Sequence, residues 1–211
     1  MIDEQIGRVL DKLKEKGDLE NAVVIFMSDH GDCLGDHGHI QKWTMYEEIT
    51  RMPTIAWGPG IIPEGETCDE LLQLFDTGEM LLECAGVEIP ETSRSISALS
   101  VAKGEMEGRD AVYAEHSVTV HLKELKFVTM ARTKDWKLVH YVDQPFGELY
   151  DLNADPGEKK NLWDDPAHKE KRHELLEMML NWRIRLPERQ AEHLHAKAVA
   201  WRERGTSSGT L

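Results

Sequence analysis

The sequence predicts an α/β layer built on a mostly parallel sheet, followed by a small antiparallel sheet packed by a helix. Three observations carry this. A segment of helical period stops at a glycine and leads into an unbroken β-branched run. Four short strand-like runs with turn residues between them occupy the second half. A charged amphipathic helix follows them.

In chain order, Ile2, Ile6, Val9, Leu10 and Leu13 recur at helical spacing, and Gly17 suits a helix C-cap. The run "AVVIFM" that follows is apolar throughout, as in a parallel strand covered on both faces. Such a strand needs others beside it, so Met1 is expected to lie inside a longer natural protein. The stretch "DTGEMLLECAG" has an aspartate suited to the N-cap, a helical apolar pattern and a terminal glycine. "AVYAEH", "FVTMART", "WKLVHY" and "GELYDL" read as strands of one antiparallel sheet. "DPGEKKNLWDDP" is a loop, residues 167–189 are a charged helix, and the tail "RERGTSSGTL" is expected to be disordered. The expected division is 1–108 for the α/β part, 109–190 for sheet plus helix, and 191–211 for the tail.

The formal net charge of −14 over 211 residues argues against nucleic acid, whose phosphates need a basic face, and gives no support for an anionic membrane surface. No apolar run reaches transmembrane length, and no signal-peptide pattern opens the sequence. Cys33, Cys68 and Cys84 form no CxxC pair, which argues against a disulfide framework or a zinc–thiolate site.

Chemistry concentrates in "MSDHGDCLGDHGHIQK", Met27 to Lys42. Asp29 and His30 directly follow the strand, at the end where α/β folds build their sites. Adjacent side chains of a regular strand point to opposite faces. Both can reach one ion only if the chain leaves extended geometry, and Gly31 is expected to supply the unusual backbone angle. The residues alone equally allow a capped turn beside a satisfied polar histidine. Gly35 and Gly38, with His37 and His39, suggest a tight loop. The spacing fits no standard zinc set, as neither H-x-E nor HExxH occurs.

The stretch "VVIFMSDHGDCLGDHGHIQKWTMYEEITRMPTIAWGPG" resembles the second half of a formylglycine-dependent sulfatase of the alkaline-phosphatase-like superfamily. The family order is a strand, (T/S)-D-(H/N)-G-(E/D), a G-x-H-G loop, a lysine, Y-E-E, an arginine, a proline-led strand and P-G. "DTGEMLLECAGVEIP" is similar to the family's A-G-x-x-x-P helix. "ARTKDWKLVHY" with "GELYDLNADPGEKKNL" resembles its C-terminal sheet signature, R-T-x-x-x-K-L then L-Y-D-L-x-x-D-P-x-E-x-x-N-L. The resemblance spans about Asp3 to Trp182.

It implies α/β/α layers of the alkaline-phosphatase-like fold and hydrolysis of sulfate esters, on small molecules or glycans. Asp29 and His30 align with the family's late pair of metal ligands. The ion is most often calcium, with manganese or another divalent ion left open by the imidazole. Lys42 aligns with the catalytic lysine that contacts sulfate and nucleophile, where an ammonium offsets charge developing in the transition state. His37 and His39 align near the pocket mouth as weaker substrate contacts. Glu47, Glu48 and Arg51 are expected to form a structural polar set, and His116 to pack. No cysteine begins C/S-x-P-x-R, since Cys33 is followed by "LGD", Cys68 by "DEL" and Cys84 by "AGV". The formylglycine nucleophile is therefore expected in an N-terminal half that this sequence lacks, and the fragment alone is expected to be inactive. Two rivals stay open: a phosphonate monoester or phosphodiester hydrolase of the same superfamily, and a non-catalytic module. Homo-oligomerisation, and cytoplasmic versus periplasmic location, also stay open.

Overall fold

The computed structural model describes residues 1–90, 93–117 and 127–186. The expected tail, 191–211, and the last residues of the expected final helix lie outside these. The chain divides into two compact units, Met1–Val87 with Ile96–Arg109, and Glu88–Ser95 with Asp110 onward.

The first unit opens with helix α1 (Ile2–Lys16), ended as expected by Gly17 in the left-handed conformation at φ 75°. Strand β1 (Val24–Met27) follows, then the loop that carries the candidate site, helix α2 (Glu47–Thr50) and strand β2 (Thr54–Trp57). Helices α3 (Asp76–Cys84) and α4 (Ala98–Ala102) complete the unit. Met80, Ala98 and Leu99 form a small core onto which Ile25, Ala56, Ile62, Leu72 and Cys84 pack.

The neighbour that this chain itself supplies to the strand in "AVVIFM" is antiparallel, not parallel. β1 pairs antiparallel with β2, Val24 opposite Trp57 and Met27 opposite Thr54. Phe26, Ile55 and Trp57 are exposed. An apolar β-branched run specifies a strand that favours burial, but not the direction of its neighbour.

Asp76 also departs from expectation. It is the first helical residue of α3 rather than its N-cap, which is Phe75. Its fully buried carboxylate accepts Arg109 Nε (2.9 Å) and Nη2 (2.5 Å), and the backbone N–H groups of Gln73 (2.7 Å) and Ile96 (2.9 Å). One carboxylate thus ties three separate segments of the unit together.

The second unit is the antiparallel sheet read from the sequence, in the order β3 (Val112–Ser117), β4 (Phe127–Arg132), β5 (Trp136–Tyr141), β6 (Gly147–Asp151). Helix α5 (Lys169–Arg185) packs on it, and Leu175 and Met179 join Ala131, Leu138, Leu149 and Leu162 in the core. Trp182 stacks on Tyr113 at 4.3 Å between centroids. The Asn161 side chain pins the loop after β6, accepting from Leu149 N–H (3.0 Å) and Trp163 N–H (2.9 Å) and donating to the Gly147 carbonyl (2.9 Å). Lys137 and Glu158, the K and E of the two sheet motifs, meet as a fully buried pair. The ammonium lies 2.8 Å from Oε1, but off the line that a hydrogen bond prefers.

Candidate functional site

Beyond Met27 the chain turns instead of extending. The Ser28 hydroxyl donates to the His30 carbonyl at 2.7 Å. His30 N–H donates to its neighbour's carboxylate, Asp29 Oδ1, at 3.0 Å. This local bond brings the two side chains together, so that Asp29 Oδ2 lies 3.5 Å from His30 Nε2. The His30 Nδ1 atom is 2.8 Å from the Gly31 carbonyl. A carbonyl cannot donate, so Nδ1 carries the proton and Nε2 presents its lone pair, an assignment made from the network. Lys42 Nζ points at that lone pair from 2.6 Å. The structure therefore gathers Asp29, His30 and Lys42 into one group.

Gly31 is required for a reason other than the one expected. It does not have a positive φ. Instead, the α2 backbone lies against it: Gly31 N–H donates to the Ile49 carbonyl at 3.0 Å. A Cβ at this position would sit 1.7 Å from the Glu48 carbonyl oxygen. Ile49 is buried, so core packing holds α2 against the site.

His37 and His39 part company. His37 stacks on Tyr46 at 3.7 Å between centroids and 5° between planes, and its Nε2 is 3.8 Å from Glu48 Oε2. It is mostly buried, as a pillar of the loop. His39 is exposed, tilted against Tyr46 at 6.3 Å. Of the expected Glu47, Glu48 and Arg51 set, Glu48 faces His37, and Arg51 N–H donates to the Glu47 carbonyl at 2.9 Å. His116 stands in β3 opposite Val128, in the other unit.

Asp32 was not singled out by sequence reasoning. Its Oδ1 accepts both Leu34 N–H (2.9 Å) and Gln41 N–H (3.0 Å), clasping the two ends of the loop. The available signal was an aspartate two residues before a turn, a pattern that favours such bonds.

The Asp29 carboxyl is held below the ordinary carboxylate value, first by the His30 backbone N–H that it accepts, with the Lys42 ammonium adding to it. It is a full anion at neutral pH. Asp29 Oδ2 and His30 Nε2 are spaced so that one cation could touch both, given metal–oxygen distances of about 2.3–2.6 Å. The Nδ1–H bond to a backbone carbonyl is the partner that metal-binding histidines usually have. Two donors are only part of a calcium shell of about six to eight oxygens. Among the described residues, no group of three or more His, Cys, Asp or Glu gathers to hold an ion. The residues thus fit as part of a metal site.

Comparison with known proteins agrees with the fold and the motif order. Residues 35–185 match the family described as "N-sulphoglucosamine sulphohydrolase, C-terminal", a span that includes Lys42 and begins just after Asp29 and His30. The N-acetylglucosamine-6-O-sulfatase of Bacteroides thetaiotaomicron is 36% identical over 190 residues, covering 84% of this chain and 33% of that protein. A solved structure in complex with its substrate D-glucosamine-2-N,6-O-disulfate superposes with a TM-score of 0.80 at 32% identity, covering 89% of this chain and 39% of that one. The phosphonate monoester hydrolase of Silicibacter pomeroyi superposes with a TM-score of 0.79 at 28% identity, covering 88% and 39%. The chain spans about a third of the length of the curated relatives it matches. These neighbours share the alkaline-phosphatase-like fold, and the chain belongs to the sulfatase family through its N-sulphoglucosamine sulphohydrolase C-terminal domain.

Proposed function

We propose that this chain is the C-terminal portion of a sulfatase-like hydrolase that cleaves sulfate esters, with a sulfated amino sugar as the favoured substrate class. The supporting observation is the convergence of Asp29 Oδ2, His30 Nε2 and Lys42 Nζ, with 3.5 Å between the first pair and 2.6 Å between the second. Residues 1–108 would belong to the catalytic α/β domain and 109–190 to its sheet subdomain. The nucleophile, formylglycine in this reading, would come from a longer polypeptide. The relatives' printed names support the sugar sulfate ester.

Asp29 and His30 would hold the divalent ion, calcium in this reading, completed by ligands from elsewhere in the full-length protein. A bound ion would draw in sulfuryl oxygens and acidify the attacking hydroxyl. The rest falls to the chain's own residues. His30 keeps its proton on Nδ1, locked to the Gly31 carbonyl, so Nε2 stays available as a donor of electrons. One lone pair serves one partner, so the Lys42 ammonium and an ion compete for Nε2. Lys42 is then freed to meet a sulfuryl oxygen, where it neutralises charge as the ester bond breaks. His39, exposed on the same loop, would meet the substrate at the rim. His37 is committed to Tyr46 and Glu48, so it would orient the loop rather than bind.

The phosphonate monoester hydrolase likeness keeps a second reading open, because sulfuryl and phosphonyl groups present similar anionic oxygens to a lysine. The test is the full-length product of the gene, assayed on glucosamine 6-sulfate and on a phenyl phosphonate monoester. Faster kcat/KM on the sulfate supports the proposal. Turnover of the phosphonate alone, or of neither, overturns it.

A further inference from the structure

The run "AVVIFM" carries more apolar surface than the first unit covers. Residues of a strand alternate between its two faces, and directly opposed cross-strand partners share a face. In the β1–β2 ladder Ile25 is paired with Ala56, and both pack on the core of Met80, Ala98 and Leu99. Met27 lies on the same face as Ile25, and the Thr77 hydroxyl of α3 reaches its sulfur at 3.8 Å. The opposite face holds the pairs Val24–Trp57 and Phe26–Ile55. All four residues are apolar and none is buried: Phe26 is 44% exposed, Ile55 63% and Trp57 39%.

A sheet with one face in water normally carries polar residues there, whereas strands apolar on both sides belong to sheets covered on both sides. Among the described residues the ladder has two strands, so each keeps an outer edge open to a further strand. Helix α1 shows the same excess. Ile2, Ile6, Val9, Leu10 and Leu13 recur at helical spacing, yet no residue of α1 is buried. Contiguous apolar surface of this kind marks an interaction site.

Length points to the occupant. The chain spans 33–36% of the curated relatives it matches, and the matched family is itself a C-terminal domain. In such relatives well over half of the polypeptide lies outside the matched span, and a C-terminal domain has the bulk of it upstream. β1 also leads straight to the candidate site. Asp29 stands three residues past Phe26, at most about 10 Å along the chain. A layer laid on Phe26 thus brings its own residues to the border of the Asp29–His30 pair, whose two donors fill only part of an ion's shell.

We propose that the face formed by Val24, Phe26, Ile55 and Trp57 is the docking surface for the upstream portion of the same polypeptide, which covers it with an apolar layer. This rests on the reading above that the nucleophile and the remaining ligands come from a longer polypeptide. The four side chains carry no charge, so the surface that meets them is apolar rather than ionic.

Hydroxyl-radical footprinting, read residue by residue in a mass spectrometer, compares the full-length product with the 211-residue chain. Phe26, Ile55 and Trp57 are expected to label roughly fivefold less in the full-length product, because a buried interface core packs as densely as a protein interior. Ile25 and Ile55 are the same residue on opposite faces, so each calibrates the other. In the chain alone Ile55 should label faster than Ile25, and in the full-length product no faster, at every protein concentration. Ile55 labelling faster than Ile25 in the full-length product overturns the docking surface, and that measurement does not depend on the short chain folding alone. Protection that appears in the short chain and grows with its concentration assigns the face to a second copy and overturns the upstream occupant. Protection without sulfate turnover would keep the docking surface and remove only the sulfatase reading. Turnover with Ile55 still exposed would keep that reading and remove the docking surface.

Discussion

Lys42 and Lys137 are the same side chain in opposite circumstances. Lys137 is fully buried in the four-stranded sheet, 2.8 Å from an equally buried Glu158. Lys42 is exposed on a strained loop and spends its ammonium on a histidine lone pair. Leu138, next to Lys137 in β5, is fully buried, whereas Leu34, in the loop that carries Lys42, is exposed. Charge inside and leucine outside each run against solvation, but for different ends. A buried pair holds one arrangement of the sheet and its loop. An exposed ammonium resting on a histidine lone pair can change partners without disturbing a core.

The largest effect should come from breaking the buried pair. Lys137→Met removes the ammonium beside the buried Glu158 carboxylate and is expected to cost about 3–5 kcal/mol, read from the urea midpoint at constant slope. Lys137→Met/Glu158→Leu should recover most of that loss, because well-packed apolar residues can replace a buried pair at little net cost. A double variant as unstable as the single one would mean that the pair itself, rather than the orphaned charge, holds the sheet.

Lys42→Ala should do the reverse. In the full-length product it is expected to lower kcat on the order of a hundredfold, about 2.7 kcal/mol, with a smaller change in KM. The melting temperature of the chain should barely move, since surface charges contribute little to stability. A rate within twofold of wild type would return Lys42 to the bland surface. A loss of stability matching the loss of rate would make it structural.

How much of this was legible beforehand follows the same divide. The sheet strands and the final helix were readable because burial imposes a pattern, as in Leu138 and Leu149 on β5 and β6. Asp29, His30 and Lys42 were readable only through motif order, since their separation in sequence says nothing of a shared centre. The direction of β2 could not be read, because "AVVIFM" reports a preference for burial and not the direction of the neighbour that the chain itself supplies. Gly31 was expected for its backbone angle and is needed instead for the approach of the Glu48 carbonyl. That contact joins residues far enough apart in sequence that no local pattern encodes it. Asp76 was read as a cap for the same reason. Its three partner residues include Arg109 and Ile96, which only the fold brings to it.

Asp32 sharpens the comparison at smaller scale. Asp32→Ala removes the acceptor of two loop N–H groups, Leu34 and Gln41, without touching any core residue. The expected result is a global stability change under about 1 kcal/mol, because both groups can turn to water. Faster amide exchange should be confined to residues 33–43. If exchange quickened equally throughout the first unit, the loop would be part of its cooperative core rather than a separately held device.

The smallest expected effect tests charge at the edge of the second unit. Asp165 caps the turn before α5, its Oδ1 accepting Ala167 N–H at 2.9 Å, with His168 Nδ1 3.3 Å from Oδ2. The Ala167 N–H is the main cause holding this carboxyl below its ordinary value of 3.8, with His168 and Lys160 adding to it. A depressed value in the folded state means that folding favours the ionised form. Its contribution is therefore fully present above 3.8 and is lost as pH falls from 3.8 through the folded value. Asp165→Asn keeps a capping oxygen but cannot ionise. The stability gap between wild type and variant should be small and constant from pH 7 down to about 5, then close as pH falls below 4. Urea midpoints of the two proteins at pH 7, 5 and 3 measure it directly. A gap that persists unchanged at pH 3 would show that Asp165 acts through shape alone, and that its charge contributes nothing to holding α5 on the sheet.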